Sequence, residues 1–276
     1  MSEWCMSQPS IVAHRGDLED HPENTLTAFE RAIVKGADII EMDVFLTRDG
    51  ELAVHHDYTL GRTTDGVGYL GDFTLAKLKQ LDAGYWFGPD FEGKRIPTLG
   101  EVLELGRGRV RFELEMRTPS RGFLTRLFGE LARYEVEADV ELTSPHLPLL
   151  GVAKSMKPEL RTGLFVAAFP AWLPSEAGKQ HVCDYLTLLG AQVAHLPASL
   201  LERTFIERLH KAGWLVHGAD LNTETELASA MTLGVDQIST NHLKLALSIR
   251  NTRCGDAQHP KRTDVDHTVS LIRQGR

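Results

Sequence analysis

Eight short apolar or β-branched segments run along residues 10–240 with helical stretches between most of them, and few folds can bury strands patterned this way. The segments are Ser10–Ala13, Ala37–Phe45, Arg109–Phe112, Val140–Thr143, Gly163–Val166, Tyr185–Leu189, Trp214–His217 and Asp236–Thr240. Between the first two, Leu26, Phe29 and Ile33 mark one face of a helix, with Asn24 as its N-cap and Gly36 at its end. Leu200, Phe205, Ile206 and Leu209 mark another that stops near Gly213, and Leu227, Ala230, Met231 and Leu233 a third that stops at Gly234. This alternation predicts an α/β fold, a parallel (β/α)8 TIM barrel, and 276 residues suit one such barrel.

The barrel is expected to occupy residues 8–250 as a single domain. Residues 57–109 exceed an ordinary connection and are rich in glycine, with Tyr85, Trp86, Phe87 and Phe91 among them, which predicts an insertion over the barrel mouth, its aromatics packing it in place. From Asn251 the apolar pattern fades, so residues 251–276 read as a flexible tail.

In such barrels the reactive groups sit at the C-terminal ends of the strands. Here His14-Arg15-Gly16 follows the first segment, Glu41 and Asp43 lie two apart on the second, and Glu115 lies just beyond the third. Residues two apart on a strand share a face, so Glu41 and Asp43 project together. Their neighbours Ile39, Ile40, Met42, Val44 and Phe45 predict burial on both faces. Buried acids of like charge repel unless a cation or donors satisfy them, and a divalent metal is the economical answer. Asp49-Gly50 then reads as a two-residue hairpin turn, with the chain returning through Glu51–His56. In that register Asp43 faces His56 and shares its side of the hairpin, while His55 points away.

The formal charge of -8, from 38 acids against 30 lysines and arginines, argues against nucleic acid as a partner. Cys5, Cys183 and Cys254 are too few and too scattered for a disulfide framework or a cysteine metal site. The first residues lack the basic and apolar parts of a secretion signal, and no apolar run approaches the roughly 18 to 20 residues that span a bilayer. These features predict a cytoplasmic protein without stable membrane insertion, acting on a small molecule.

Glu41, Asp43 and Glu115 form an oxygen-rich set suited to one hard divalent cation, Mg²⁺ first and Ca²⁺ as the alternative. Arg15 cannot act as a base but binds phosphate oxygens well. An anion held by metal and arginine with His14 and His56 on either side describes general acid-base cleavage of a phosphate ester, in which either histidine can take either role.

The ordered set Ala13-His14-Arg15-Gly16, Pro22-Glu23-Asn24-Thr25, Gly36-Ala37-Asp38, Glu41-Met42-Asp43-Val44, Thr47-Arg48-Asp49-Gly50, His56-Asp57 and Leu60-Gly61-Arg62-Thr63-Thr64 resembles the glycerophosphodiester phosphodiesterase family. Ile96–Leu103 resembles the end of that family's insertion. The resemblance is specific over residues 10–118 and fainter to about 247. It implies a barrel phosphodiesterase that releases glycerol 3-phosphate and an alcohol. It also implies His14 and His56 as the acid-base pair, Glu41, Asp43 and Glu115 as metal ligands, and Arg15 as a phosphate contact. Arg117 stands where the family usually has a lysine and keeps its charge as a second phosphate contact.

The second half departs from the family pattern. Ala219-Asp220-Leu221-Asn222 replaces a Trp-Thr-Val-Asn segment, Thr240-Asn241 a Thr-Asp, and Ser144-Pro145 a Ser-Phe. Head-group preference is where these changes bear. Two other readings follow: a lysophospholipase D with an apolar groove among Trp86, Phe87, Phe91, Phe169 and Trp172, or a catalytically weak barrel that only binds phosphodiesters. His146, His195 and His217 are candidates to line the pocket, two of them at or near expected strand ends, but are read as structural or surface groups.

Overall fold

The computed structural model describes residues 8–257. In chain order these form β1 (Ser10–Ala13), α1 (Leu26–Lys35), β2 (Ile39–Leu46), β3 (Leu52–Val54), α2 (Leu75–Leu78), α3 (Leu99–Gly106), β4 (Arg111–Met116), α4 (Arg121–Tyr134), β5 (Val140–Thr143), α5 (Leu147–Met156), β6 (Arg161–Phe165), α6 (Ser175–Leu189), β7 (Val193–Pro197), α7 (Arg203–Lys211), β8 (Leu215–Ala219), α8 (Glu224–Leu233), β9 (Gln237–Thr240) and α9 (Leu243–Ala257). β1 pairs in parallel with both β2 and β9, so eight parallel strands close on themselves as a (β/α)8 barrel. β1 holds only Ile39 and Ile40 of β2. Beyond it the antiparallel β3 pairs with Val44–Leu46.

Alternation along each strand divides the core. On β2 the outward Ile40, Met42 and Val44 join Phe29 of α1 and Val102 and Leu103 of α3 in the main cluster. Each such side chain contributes roughly 1.5–3 kcal/mol by leaving water. The intervening Glu41 and Asp43 face the barrel interior, and both are buried. On the hairpin, Phe45 and Ala53 instead pack with Leu60, Leu70, Leu78, Ala83 and Ile96 in a separate small core that roots the insertion.

Several sequence-based expectations are corrected. Tyr185–Leu189 is not a strand but the last turn of α6, where Val182 and Leu186, four apart, are buried and Tyr185 and Leu188 are exposed. The strand at this place in the barrel is β7, whose apolar run is interrupted by His195. The N-cap of α1 is Thr25, whose hydroxyl accepts from Ala28 N, rather than Asn24. α3 lies inside the expected insertion but packs between α1 and α4 as a barrel helix.

The hairpin turn has three residues, not two. Thr47 N donates to Glu51 O at 2.9 Å, and Gly50 closes the loop in the left-handed region at φ 81°. The Thr47 hydroxyl stabilises this wider turn by accepting from Glu51 N and donating to Asp49 Oδ1. Val44 therefore faces Val54, and His55 N donates to Asp43 O, so Asp43 stands opposite His55 instead of His56. A one-residue slip of this kind reverses the faces. At the other end of the chain, α9 carries residues 251–257 as helix, and the rest of the expected tail lies outside the described residues.

Candidate active site

Glu41 and Asp43 of β2 are direct register partners of Glu113 and Glu115 of β4. Because inward residues recur at every second position, four carboxylates meet in two layers at one end of the barrel. The outer set, Glu41, Asp43 and Glu115, offers ligand atoms that all lie within 4.8 Å of one another and so could hold a metal ion. Burial and the nearby Glu115 push the Glu41 carboxyl up to about 8, against the pull of Arg15. Asp43 is also raised well above its ordinary value by burial, Glu41 and Glu115, with Arg15 and Asn24 opposing. Concentrated negative charge of this kind is what a divalent cation relieves.

The loop after β1 shapes one wall. Gly16 has φ 93°, and a Cβ there would lie 2.7 Å from Ala28 Cβ and 2.9 Å from its backbone carbon, so glycine is required where the loop crosses α1. Arg15, with φ 55°, donates its backbone N–H to Glu41 Oε2 at 2.8 Å and lays its guanidinium against Glu23 and Asp43. Asn24 donates to Asp43 Oδ2 at 2.9 Å, which accounts for a residue expected only to cap a helix.

His14 and His56 are both brought to this pocket, a cavity of about 530 Å³ that Arg15, Glu41, Glu115 and Arg117 also line. Asp43 is buried and is not among the residues that line it. His56 arrives by a route the sequence did not predict: β3 stops at Val54 and the chain bends at His56, which turns that ring inward despite the shifted register. His55 is buried with its Nε2 facing Thr59 O.

Each imidazole is held through Nδ1. His14 Nδ1 donates to Asn241 Oδ1 at 2.7 Å, and His56 Nδ1 contacts Asp57 Oδ1 at 2.5 Å. Both rings thus keep Nε2 for other partners. Asp57 is in turn held by Arg62, which also binds Glu23, the carboxylate that Arg15 reaches. Burial alone would raise Asp57, but Arg62 and His56 outweigh it and hold the carboxyl at about 2.

The two histidines face different charges. His56 lies below its ordinary pKa, through burial first and then the Arg15 guanidinium, with Asp57 opposing and Arg117 adding to the shift. His14 instead stands 4.0 Å from Glu41 Oε2 and 3.7 Å from Asp220 Oδ1. Arg117 contacts Glu115 and lies 3.8 Å from Asp43 Oδ1, with its guanidinium over the Tyr58 ring at 5.3 Å. Arg15 and Arg117 each leave a buried Nε without a hydrogen-bond partner.

The groove aromatics do not line this pocket. Trp86, Phe87 and Phe91 pack edge to face within the insertion, and Phe91 against His21. Trp172 is exposed. A second cleft of about 640 Å³, lined by Pro119, His146, Leu147 and Leu149, adjoins the pocket at Pro145. Sequence reasoning reads Asn24 only as a cap, Asn241 only as a departure from the family pattern and His195 and His217 as structural or surface groups, and it misses the deeper layer that the two histidines form with Glu113 and Glu141, a second group whose ligand atoms lie within 4.8 Å. The signal was present: Glu113-x-Glu115 repeats the spacing of Glu41-x-Asp43, and Glu141 lies two before Thr143. Among the described residues no helix is long and apolar enough to cross a membrane.

Residues 14–245 match the glycerophosphoryl diester phosphodiesterase family. A glycerophosphodiester phosphodiesterase of Caldanaerobacter subterraneus subsp. tengcongensis is 45% identical over 158 residues, which is 56% of this chain and 65% of the relative. One of Bacillus altitudinis is 32% identical over 87% of this chain and 97% of its own length. Among solved structures, an Oleispira antarctica phosphodiesterase in complex with the product sn-glycerol-3-phosphate shares 28% identity, with a TM-score of 0.78, over 88% of this chain and 97% of the other.

Proposed function

The chain belongs to the glycerophosphoryl diester phosphodiesterase family and is a phosphoric diester hydrolase by that membership, and we propose that it cleaves glycerophosphodiesters to glycerol 3-phosphate and an alcohol in a metal-dependent reaction. The observation that carries this reading is the meeting of His14, His56, Arg15 and Arg117 around one pocket beside three clustered carboxylates.

The all-oxygen set of Glu41, Asp43 and Glu115 fits a hard divalent cation, Mg²⁺ before Ca²⁺. Such an ion, when bound, polarises the phosphoryl oxygens and offsets their charge. Arg15 and Arg117, with their unpartnered Nε donors, bind the non-bridging oxygens. His56, held neutral by burial and two guanidinium groups, takes the proton from the attacking oxygen through Nε2. His14, which stands beside Glu41 and Asp220, is the partner that gives the departing alkoxide its proton. The Asn241 and Asp57 contacts keep both rings aimed across the bound phosphorus. A free, buried Cys183 is in keeping with a reducing, cytoplasmic setting.

A second reading has one observation behind it: the cleft that meets the pocket at Pro145 offers apolar walls to the alkyl chain of a lysophospholipid. A substrate panel with and without chelator tests both. Turnover of glycerophosphocholine that stops with chelator and returns with Mg²⁺ supports the first reading. Preference for lysophosphatidylcholine moves the assignment to the second, and binding without turnover contradicts both.

A further inference from the structure

Below the outer carboxylates, Glu113 of β4, Glu141 of β5, His195 of β7 and His217 of β8 converge on the barrel axis, each at most 4% exposed. Register relates them: Glu113 faces Glu141 across one strand pair and His195 faces His217 across another. A buried polar layer is stable when every group has a partner, and this one lacks several. Glu113 Oε2, His195 Nδ1 and both nitrogens of His217 have no hydrogen-bond partner.

The spacings explain the shortfall. His195 Nδ1 is 3.7 Å from Glu113 Oε1, and His217 Nδ1 is 3.5 Å from Glu113 Oε2. Both are long for hydrogen bonds. They are close to the separation of about 3.4 Å between two ligands on a tetrahedral ion with bonds of about 2.0–2.1 Å. The remaining contacts are those of a supporting shell. His195 Nε2 meets Glu141 Oε1 at 2.6 Å, and Gln237 Nε2 donates to Glu141 Oε2 at 3.2 Å. A carboxylate that takes one ring N–H of a histidine leaves the other nitrogen as a lone pair for a metal. Gly163 makes room for this contact, since a Cβ there would lie 2.3 Å from His195 Nε2 and 2.7 Å from Glu141 Oε1.

We propose that Glu113, His195 and His217 bind a second metal ion, a borderline transition ion such as Zn²⁺, with Glu141 orienting His195. Two imidazoles and one carboxylate select Zn²⁺ over Mg²⁺, whereas the outer three carboxylates select the harder ion, so the barrel sorts two cations by depth. Glu113 and His195 line the pocket, which is the ion's way in. The His195 and His217 rings stack at 4.0 Å with 28° between their planes, and binding turns the His217 ring so that both lone pairs converge. The Gln237 side chain is the polar neighbour that the ring exchanges for the ion in that turn.

The test is Zn²⁺ binding by the full chain after chelator treatment, followed by calorimetry and X-ray absorption at one equivalent. The expected spectrum carries two imidazole ligands. His217→Ala abolishes that site, Glu141→Gln weakens it about 10- to 100-fold, and Glu41→Gln/Asp43→Asn leaves it in place. Because His217→Ala can fail to fold, the wild-type spectrum stands as an independent criterion. A wild-type spectrum with oxygen ligands only, or a zinc site lost in Glu41→Gln/Asp43→Asn and kept in His217→Ala, overturns the proposal.

Discussion

Asn241, just beyond the last strand, holds His14, just beyond the first: His14 Nδ1 donates to Asn241 Oδ1 at 2.7 Å, and Asn241 N donates in turn to Asn222 Oδ1 at 2.8 Å. An amide oxygen only accepts, so the contact takes a proton on Nδ1 and leaves Nε2, in the proposed reaction, as the nitrogen that gives the departing alkoxide its proton. Asn241→Ala is expected to lower kcat by about 10- to 100-fold with KM little changed, because it misaligns the ring without removing a phosphate contact. Steady-state kinetics check this; an unchanged kcat would free His14 from dependence on Asn241.

Arg117 contacts Glu115 and reaches toward Asp43, so in the proposed reaction it would serve the acidic set as well as the phosphate. Lysine at this position keeps the charge but loses the forked donors. The expected order of kcat/KM is wild type above Arg117→Lys above Arg117→Met, with the methionine variant lower by about 100-fold or more. Equal values for lysine and methionine would show that the charge plays no part.

Asp57 opposes the burial and guanidinium groups that hold His56 below its ordinary pKa. Asp57→Asn removes that opposition, so the His56 pKa falls further and the acid limb of the pH–rate profile moves to lower pH. Titration of the His56 ring by NMR reads the shift directly. Movement to higher pH would contradict the role given to Asp57.

Burial pushes His55 below its ordinary pKa, with the Thr59 carbonyl opposing. As pH falls below the unfolded value of about 6.5, the unfolded chain takes up a proton that the folded chain refuses. Stability is therefore lost through this group as pH falls. His55→Gln should reduce the loss between pH 7 and 5 by at most about 1.4 kcal/mol per pH unit, measured as urea unfolding of both proteins. An identical dependence in the variant would contradict a neutral, buried His55.

What the sequence made legible was what periodicity encodes. A strand period of two puts Glu41 and Asp43 on one face, and the alternation of strand and helix implies the barrel. Periodicity alone could not separate the apolar end of α6 from a strand, and His195 in the middle of Val193–Pro197 disguised β7. The hairpin register turned on one loop residue, decided by the Thr47 hydroxyl. Glu113, Glu141, His195 and His217 come from four strands, and only closure of the barrel shows them as one layer.

Whether His14 and His56 act on a phosphodiester bound between them is decided by the release of sn-glycerol 3-phosphate from glycerophosphocholine by wild type, His14→Ala and His56→Ala. With folding verified for all three, each variant is expected to fall by about 10² to 10⁴ in kcat while wild type turns over in Mg²⁺. Wild-type rates in either variant would contradict it.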